Sequence, residues 1–120
     1  MDEMKKWSFK ERSNYVESLA LEYNKALVAI ENEKGAKYLE GLREDVAIYR
    51  ISDDKLTMYK NLKKLIDSIL EKLERIDRNI LYNDYFCKSG FSWWEHTYSK
   101  STYYRAKKKA LDSFLKYFML

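Results

Sequence analysis

The sequence holds no proline and only three glycines, Gly35, Gly41 and Gly90, in 120 residues. Few places therefore exist where the chain must turn sharply or a helix must stop, which argues for long helices against a many-turned β architecture. Cysteine is equally scarce. Cys87 stands alone, so no internal disulfide can form, and a reducing cytoplasm is the expected compartment. No apolar run approaches the ~18 residues that a bilayer-spanning helix needs, and the charged stretch Met1 to Lys10 is unlike a secretory leader, so no membrane partner is expected. Catalytic inventory is missing too. There is one histidine, His96, with no glycine-rich phosphate loop, no clustered metal ligands and no nucleophile beside a base at motif spacing. The expectation is a protein that is not an enzyme, with no cofactor and no metal.

What is present suits one well-packed domain. Apolar residues make up 46% of the chain, with 11 Tyr, 5 Phe and 3 Trp, enough to bury a core without disulfides or metal and too much for a disordered chain. The net charge of +4 is unevenly placed. Residues 1–60 carry 11 Lys/Arg against 12 Asp/Glu, whereas residues 96–120 carry Lys100, Arg105, Lys107, Lys108, Lys109 and Lys116 against Asp112 alone. Such an asymmetry marks an end that binds a polyanion, or else one solvated helix face.

Along the chain, Ser8 with Glu11 reads as a capping box. Tyr15, Val16, Leu19, Tyr23, Ala26, Leu27 and Ile30 then recur at helical spacing. This predicts a helix from Phe9 to Lys34, with Gly35 as a left-handed cap. A short second helix is expected within Ala36 to Ile51, weakened by Gly41, with a short extended piece as the alternative. Ser52-Asp53-Asp54 signals a new helix, with carboxylates at its positive end. Behind it Tyr59, Leu62, Ile66, Ile69, Leu73, Ile76 and Ile80 alternate steps of three and four, a heptad seam. Leu65 and Leu70 broaden that stripe, so a core helix is favoured over a dimer zipper. The helix is expected from Asp53 to about Tyr82, with a kink or break near Arg75 to Asn79. Ile80, Leu81, Tyr85 and Phe86 supply an apolar face, and Lys88-Ser89-Gly90 closes it. Ser92 can cap a short helix holding Trp93, Trp94 and His96. A turn at Thr97-Tyr98-Ser99 leads into a last helix opened by Ser99 or Lys100.

At 100° per residue that last helix separates two faces. Tyr103, Ala106, Ala110, Phe114, Tyr117 and Phe118 gather on one side; Ser101, Arg105, Lys108, Lys109 and Lys116 lie opposite, with Tyr104 at the border. Lys107 points to the buried side and must snorkel. One apolar and one basic face are what the second helix of a helix-turn-helix needs in order to lie in the major groove.

The stretch Tyr98 to Arg105, Y-S-K-S-T-Y-Y-R, resembles the S-x-S-T-x-Y-R turn and recognition-helix start of many bacterial regulators. Ala106 to Phe114, A-K-K-K-A-L-D-S-F, resembles the end of region 4 of sigma factors, including its Ala-Leu pair. Ile76 to Phe86, I-D-R-N-I-L-Y-N-D-Y-F, is similar to the helix preceding that module. The layout as a whole looks most like ArpU-type phage late-operon regulators and similar small mollicute proteins. The resemblance covers about the last 45 residues; it departs from the pattern at Trp93-Trp94-Glu95-His96, where the family has a small or aliphatic-rich first helix of the motif.

This resemblance implies an all-α helical bundle with a long central helix, residues 1–78 as an N-terminal helical region and 79–120 as the helix-turn-helix, in one compact unit. It implies a transcriptional regulator that binds double-stranded DNA, with RNA polymerase as a possible second partner; the seam, read as mainly bundle core, leaves a monomer or a weak homodimer. Lys100, Ser101, Thr102, Tyr104 and Arg105 would reach the groove, Arg105 contacting guanine, and Lys108 and Lys109 would contact phosphates. The rival reading makes the seam 59–80 a protein-interaction surface and the basic end a solvated face. For the remaining polar and aromatic residues the structural roles are favoured: one of Trp93 and Trp94 in the core, His96 exposed or structural, and Cys87 a small buried residue.

Overall fold

The computed structural model describes residues 6–42, 52–90 and 92–119. Among the described residues the structure is all helical, with helices α1 (Phe9–Leu42), α2 (Asp53–Lys72), α3 (Arg75–Leu81) and α4 (Lys100–Phe118), and a π-helical turn, Tyr82–Phe86, continuing α3. None of the described helices is long and apolar enough to cross a membrane.

The capping box forms as its residues require. The Glu11 amide donates to Ser8 Oγ at 3.1 Å and the Ser8 amide donates to Glu11 Oε1 at 3.2 Å, so two amides without helical partners are satisfied reciprocally. The other end differs from expectation. α1 passes through Gly35 and Gly41 and ends at Leu42, with no left-handed cap at Gly35. A helical glycine costs only about 1 kcal/mol relative to alanine, which the cooperativity of a long helix absorbs. Residues 36–42 thus belong to α1 rather than to a second helix, and 43–51 lie outside the described residues.

α2 starts where the sequence signals it. Ser52 is the N-cap, its hydroxyl accepting from the Lys55 amide at 3.2 Å, with Asp53 and Asp54 in the first turn. The expected break comes earlier than Arg75. Leu73 (φ −78, ψ 154) and Glu74 (φ −59, ψ 150) are both extended, and they separate α2 from α3. This step shifts the phase of the buried face. Tyr59, Ile66, Ile69, Leu70 and Leu73 are buried on one side of it, and Asp77, Ile80 and Leu81 on the other. Ile76 continues the heptad in sequence but lies about 100° from the middle of the new arc and is 52% exposed. Leu65, on the edge of the stripe, is exposed as well.

One core draws on every helix. Val16 and Ala20 of α1 meet Ile66, Ile69 and Leu70 of α2, Ile80 and Leu81 of α3, Tyr85 and Phe86 of the π turn, and Ala110, Leu111, Phe114 and Leu115 of α4. The core therefore crosses the boundary at position 79. Leu111 and Leu115 are fully buried, so the apolar face of α4 is centred about 45° further round than the aromatic spacing suggested, and Tyr117 is left 40% exposed. Polar clasps tie α1 to the rest. Arg12 pairs with Asp112, Ser13 shares a hydrogen bond of 2.6 Å with the Tyr85 hydroxyl, and Tyr23 donates to Asp67 at 2.6 Å. Burial, reinforced by the Asp67 carboxylate, pushes the Tyr23 hydroxyl well above the usual tyrosine value.

Candidate nucleic-acid interface

The π turn ends with the Cys87 amide donating to the Tyr82 carbonyl at 2.7 Å, and the chain then reverses through Lys88 (φ 49) and Gly90 (φ 115). The φ of Gly90 is one that a side chain would oppose, which explains the glycine there. Cys87 is exposed at this closure rather than buried beside Phe86. Ser92 to Thr97 is a series of turns, not the expected short helix. Its amide bonds run Glu95 to Ser92, Thr97 to Trp94 and Tyr98 to Trp94, too few and too mixed to propagate a helix. The turn expected at Thr97-Tyr98-Ser99 therefore has no first helix of the motif before it, and among the described residues 87–90 and 92–99 connect the π turn to α4.

Tertiary contacts hold this connection in place. The Trp93 indole donates to Asp84 Oδ1 at 2.7 Å, the Tyr103 hydroxyl donates to the other oxygen of Asp84, and Lys107 Nζ lies 3.4 Å from it. The Lys107 ammonium also sits over the rings of Tyr85 (5.2 Å) and Tyr103 (5.7 Å). Lys107 therefore does not snorkel outward to water; it is the cation of a half-buried cluster centred on Asp84. Burial first, and then the Asp84 carboxylate, raise the Tyr103 hydroxyl far above its ordinary range. Burial likewise pushes Tyr85 up to about 12, against the opposing pull of its bond to Ser13. Trp94 stacks on Tyr103 at 4.3 Å and 6°, and Tyr104 packs edge-on against both rings. Trp93 lies against the main core and Trp94 outside it.

Ser99 caps α4, its hydroxyl accepting from the Thr102 amide at 3.3 Å. All seven residues singled out from the sequence, Lys100, Ser101, Thr102, Tyr104, Arg105, Lys108 and Lys109, are exposed on α4, while Tyr103, Ala110, Leu111, Phe114 and Leu115 are buried. Lys109 differs from the others. Its Nζ is 3.0 Å from Glu74 Oε2 and 3.7 Å from Asp77 Oδ2, and the Glu74 bond and the Asp77 charge raise its pKa. Asp77 is 2% exposed, so Lys109 is the cation that compensates a buried carboxylate.

The residues missed from sequence are Asp84, read only as part of an apolar helix, and the arginines of α3. Arg75 and Arg78 are exposed and line a shallow groove with Ile76, Asn79, Tyr82 and Tyr98. His96 is exposed, and among the described residues no group of His, Cys, Asp and Glu could hold a metal ion. Comparison with family models, with characterised proteins and with solved structures returns no match to this chain.

Proposed function

We propose that this chain is a sequence-specific DNA-binding transcriptional regulator that lays the first half of α4 in the major groove, with α3 and the π turn, in place of the short helix expected at 93–96, as the helix that supports it. The observation that carries this reading is the surface of α4. Lys100, Ser101, Thr102, Tyr104, Arg105 and Lys108 all face solvent on a helix whose opposite side is locked into the core. Hydroxyls and an arginine at the start of a rigid helix suit base edges, and the lysines suit phosphates. Lys100 sits in the first helical turn, where no acid is present, so its charge opposes the helix dipole. A polyanion relieves that placement; a merely solvated face has no use for it.

Much of the affinity comes from phosphate neutralisation and falls steeply with salt. One module of this size covers a short site, so useful specificity calls for a second copy or a DNA-bound protein such as RNA polymerase. The rival reading, an interaction module built on the seam 59–80, has less surface to work with, because Tyr59, Ile66, Ile69, Leu73 and Ile80 are buried in the chain's own core. Selection from random duplex DNA tests the proposal. A short enriched motif that disappears with Arg105→Ala supports it, and recovery of no motif at low salt contradicts it.

A further inference from the structure

Two contacts fix how α3 and α4 lie together. Lys109, midway along α4, touches Glu74 and Asp77 at the start of α3, and Tyr103, earlier in α4, bonds Asp84 in the π turn beyond the end of α3. The helices are therefore antiparallel along a shared border. Positions four apart share a strip of helix surface. Arg78 follows Glu74 on the strip of α3 that meets Lys109, and Arg105 precedes Lys109 on the strip of α4 that meets Glu74. Running in opposite directions from one contact, the two strips bring Arg78 and Arg105 alongside each other.

Both arginines are exposed, as is Arg75 one turn before Arg78, and none of the three has a carboxylate partner among the described residues. One turn away on the same border, Lys109 is neutralised by two carboxylates. The border thus has its acids paired where Lys109 crosses it, and leaves Arg78 and Arg105, one turn on, without a carboxylate among the described residues. Like charges side by side are unfavourable without an anion to bridge them, and planar guanidinium groups match phosphate oxygens in pairs.

We propose that Arg78 and Arg75 of α3 hold backbone phosphates of the duplex next to the bases met by Arg105, and that Lys109 makes no DNA contact. This rests on the DNA-binding reading above and enlarges its footprint from one helix to two. The phosphate contacts then come from α3 and from Lys100 and Lys108 on α4, so the site straddles the helix border instead of following α4 towards its C-terminus.

The test is fluorescence anisotropy of a labelled duplex carrying the selected motif, a scrambled duplex and the corresponding single strand, each over a series of salt concentrations. The parent is compared with Arg75→Gln/Arg78→Gln and with Lys109→Gln. The double variant should bind both duplexes more weakly by the same factor, and its slope of log affinity against log salt should shrink by about two, one for each phosphate that no longer meets an arginine. Its melting temperature should match the parent's, since both side chains are exposed. Lys109→Gln should keep the parent's slope while melting earlier, because Asp77 loses its cation. A double variant with the parent's slope on duplex, a slope reduced only on single strands, or a reduced slope in Lys109→Gln each overturns this inference while leaving the DNA reading standing. A parent that binds no duplex overturns both.

Discussion

Helices α2 and α4 are nearly matched in length, 20 and 19 residues, and each is capped by a serine hydroxyl accepting from the amide three residues on. Each buries one face. They differ at the exposed start. α2 places Asp53 and Asp54 in its first turn, where their charge complements the helix dipole, whereas α4 has no acid there and carries Lys100. Acidic pairing continues along α2, with Lys63 bonded to Asp67 at 2.7 Å. Along α4, Lys100, Arg105 and Lys108 face solvent without such a neighbour. The surface of α2 is arranged for folding and that of α4 departs from what folding prefers, so α4 is where a ligand is expected. The buried faces, by contrast, are equivalent.

That equivalence predicts the largest effects. Ile66→Ala in α2 and Phe114→Ala in α4 both empty fully buried positions and should cost ~2–5 and ~3–5 kcal/mol, measured by chemical denaturation. A near-silent Phe114→Ala would mean that α4 is not anchored as described. Next comes the Asp84 cluster, which parallels Asp67 of α2 with its Tyr23 and Lys63 but adds the Trp93 indole. Asp84→Asn leaves Lys107 half-buried without its carboxylate and should destabilise by ~2–3 kcal/mol. Because Asp84 also holds Trp93 and Tyr103, DNA affinity should fall in this variant even where the fold persists.

Alkaline titration probes the buried tyrosines. Tyr85 ionises near 10 when unfolded and at about 12 when folded, so the unfolded chain releases its proton first. Its contribution is complete below pH 10 and is lost as pH rises towards 12, so Tyr85→Phe should reduce the alkaline loss of stability by ~2–3 kcal/mol, while Tyr23 and Tyr103 keep their shares. The smallest effect addresses the comparison itself. Lys100→Glu should stabilise the fold by ~0.3–1 kcal/mol while weakening DNA binding, and Asp53→Lys should destabilise by a similar amount with DNA affinity unchanged. Equal responses of DNA affinity in the two variants would erase the distinction between the helices.

Local chemistry made much of this legible. Ser8 with Glu11, Ser52 with Asp53-Asp54, and Ser99 all cap helices, because each signal lies within three residues of the amide it satisfies. The exposure of the basic positions on α4 also followed from helical periodicity alone. Misreadings arose where distant contacts overrode local pattern. Nothing local marks Leu73-Glu74 as a break, since no glycine or proline stands there; both Leu73 and Asp77 are buried across it, and the heptad runs on in sequence to an exposed Ile76. Trp93 and Trp94 read as helix, but bonding to Asp84 and stacking on Tyr103 hold them in turns. Gly35 looked like a stop only because its tolerance inside a long helix has no sequence signature. The pairing of Lys109 with Glu74 depends on two helices meeting and was invisible in either one.

The central claim is tested most directly by Arg105→Ala and Lys108→Ala, two exposed positions three apart on α4, measured for affinity on a preferred duplex and on a random one across salt. Arg105→Ala should lose ~1–3 kcal/mol on the preferred sequence and much less on random DNA. Lys108→Ala should weaken both alike and lower the salt slope by about one. If both variants bind duplex DNA as the parent does, or the parent binds none near ~0.1 M salt, where phosphate-neutralising proteins still bind, α4 is not a DNA-reading helix.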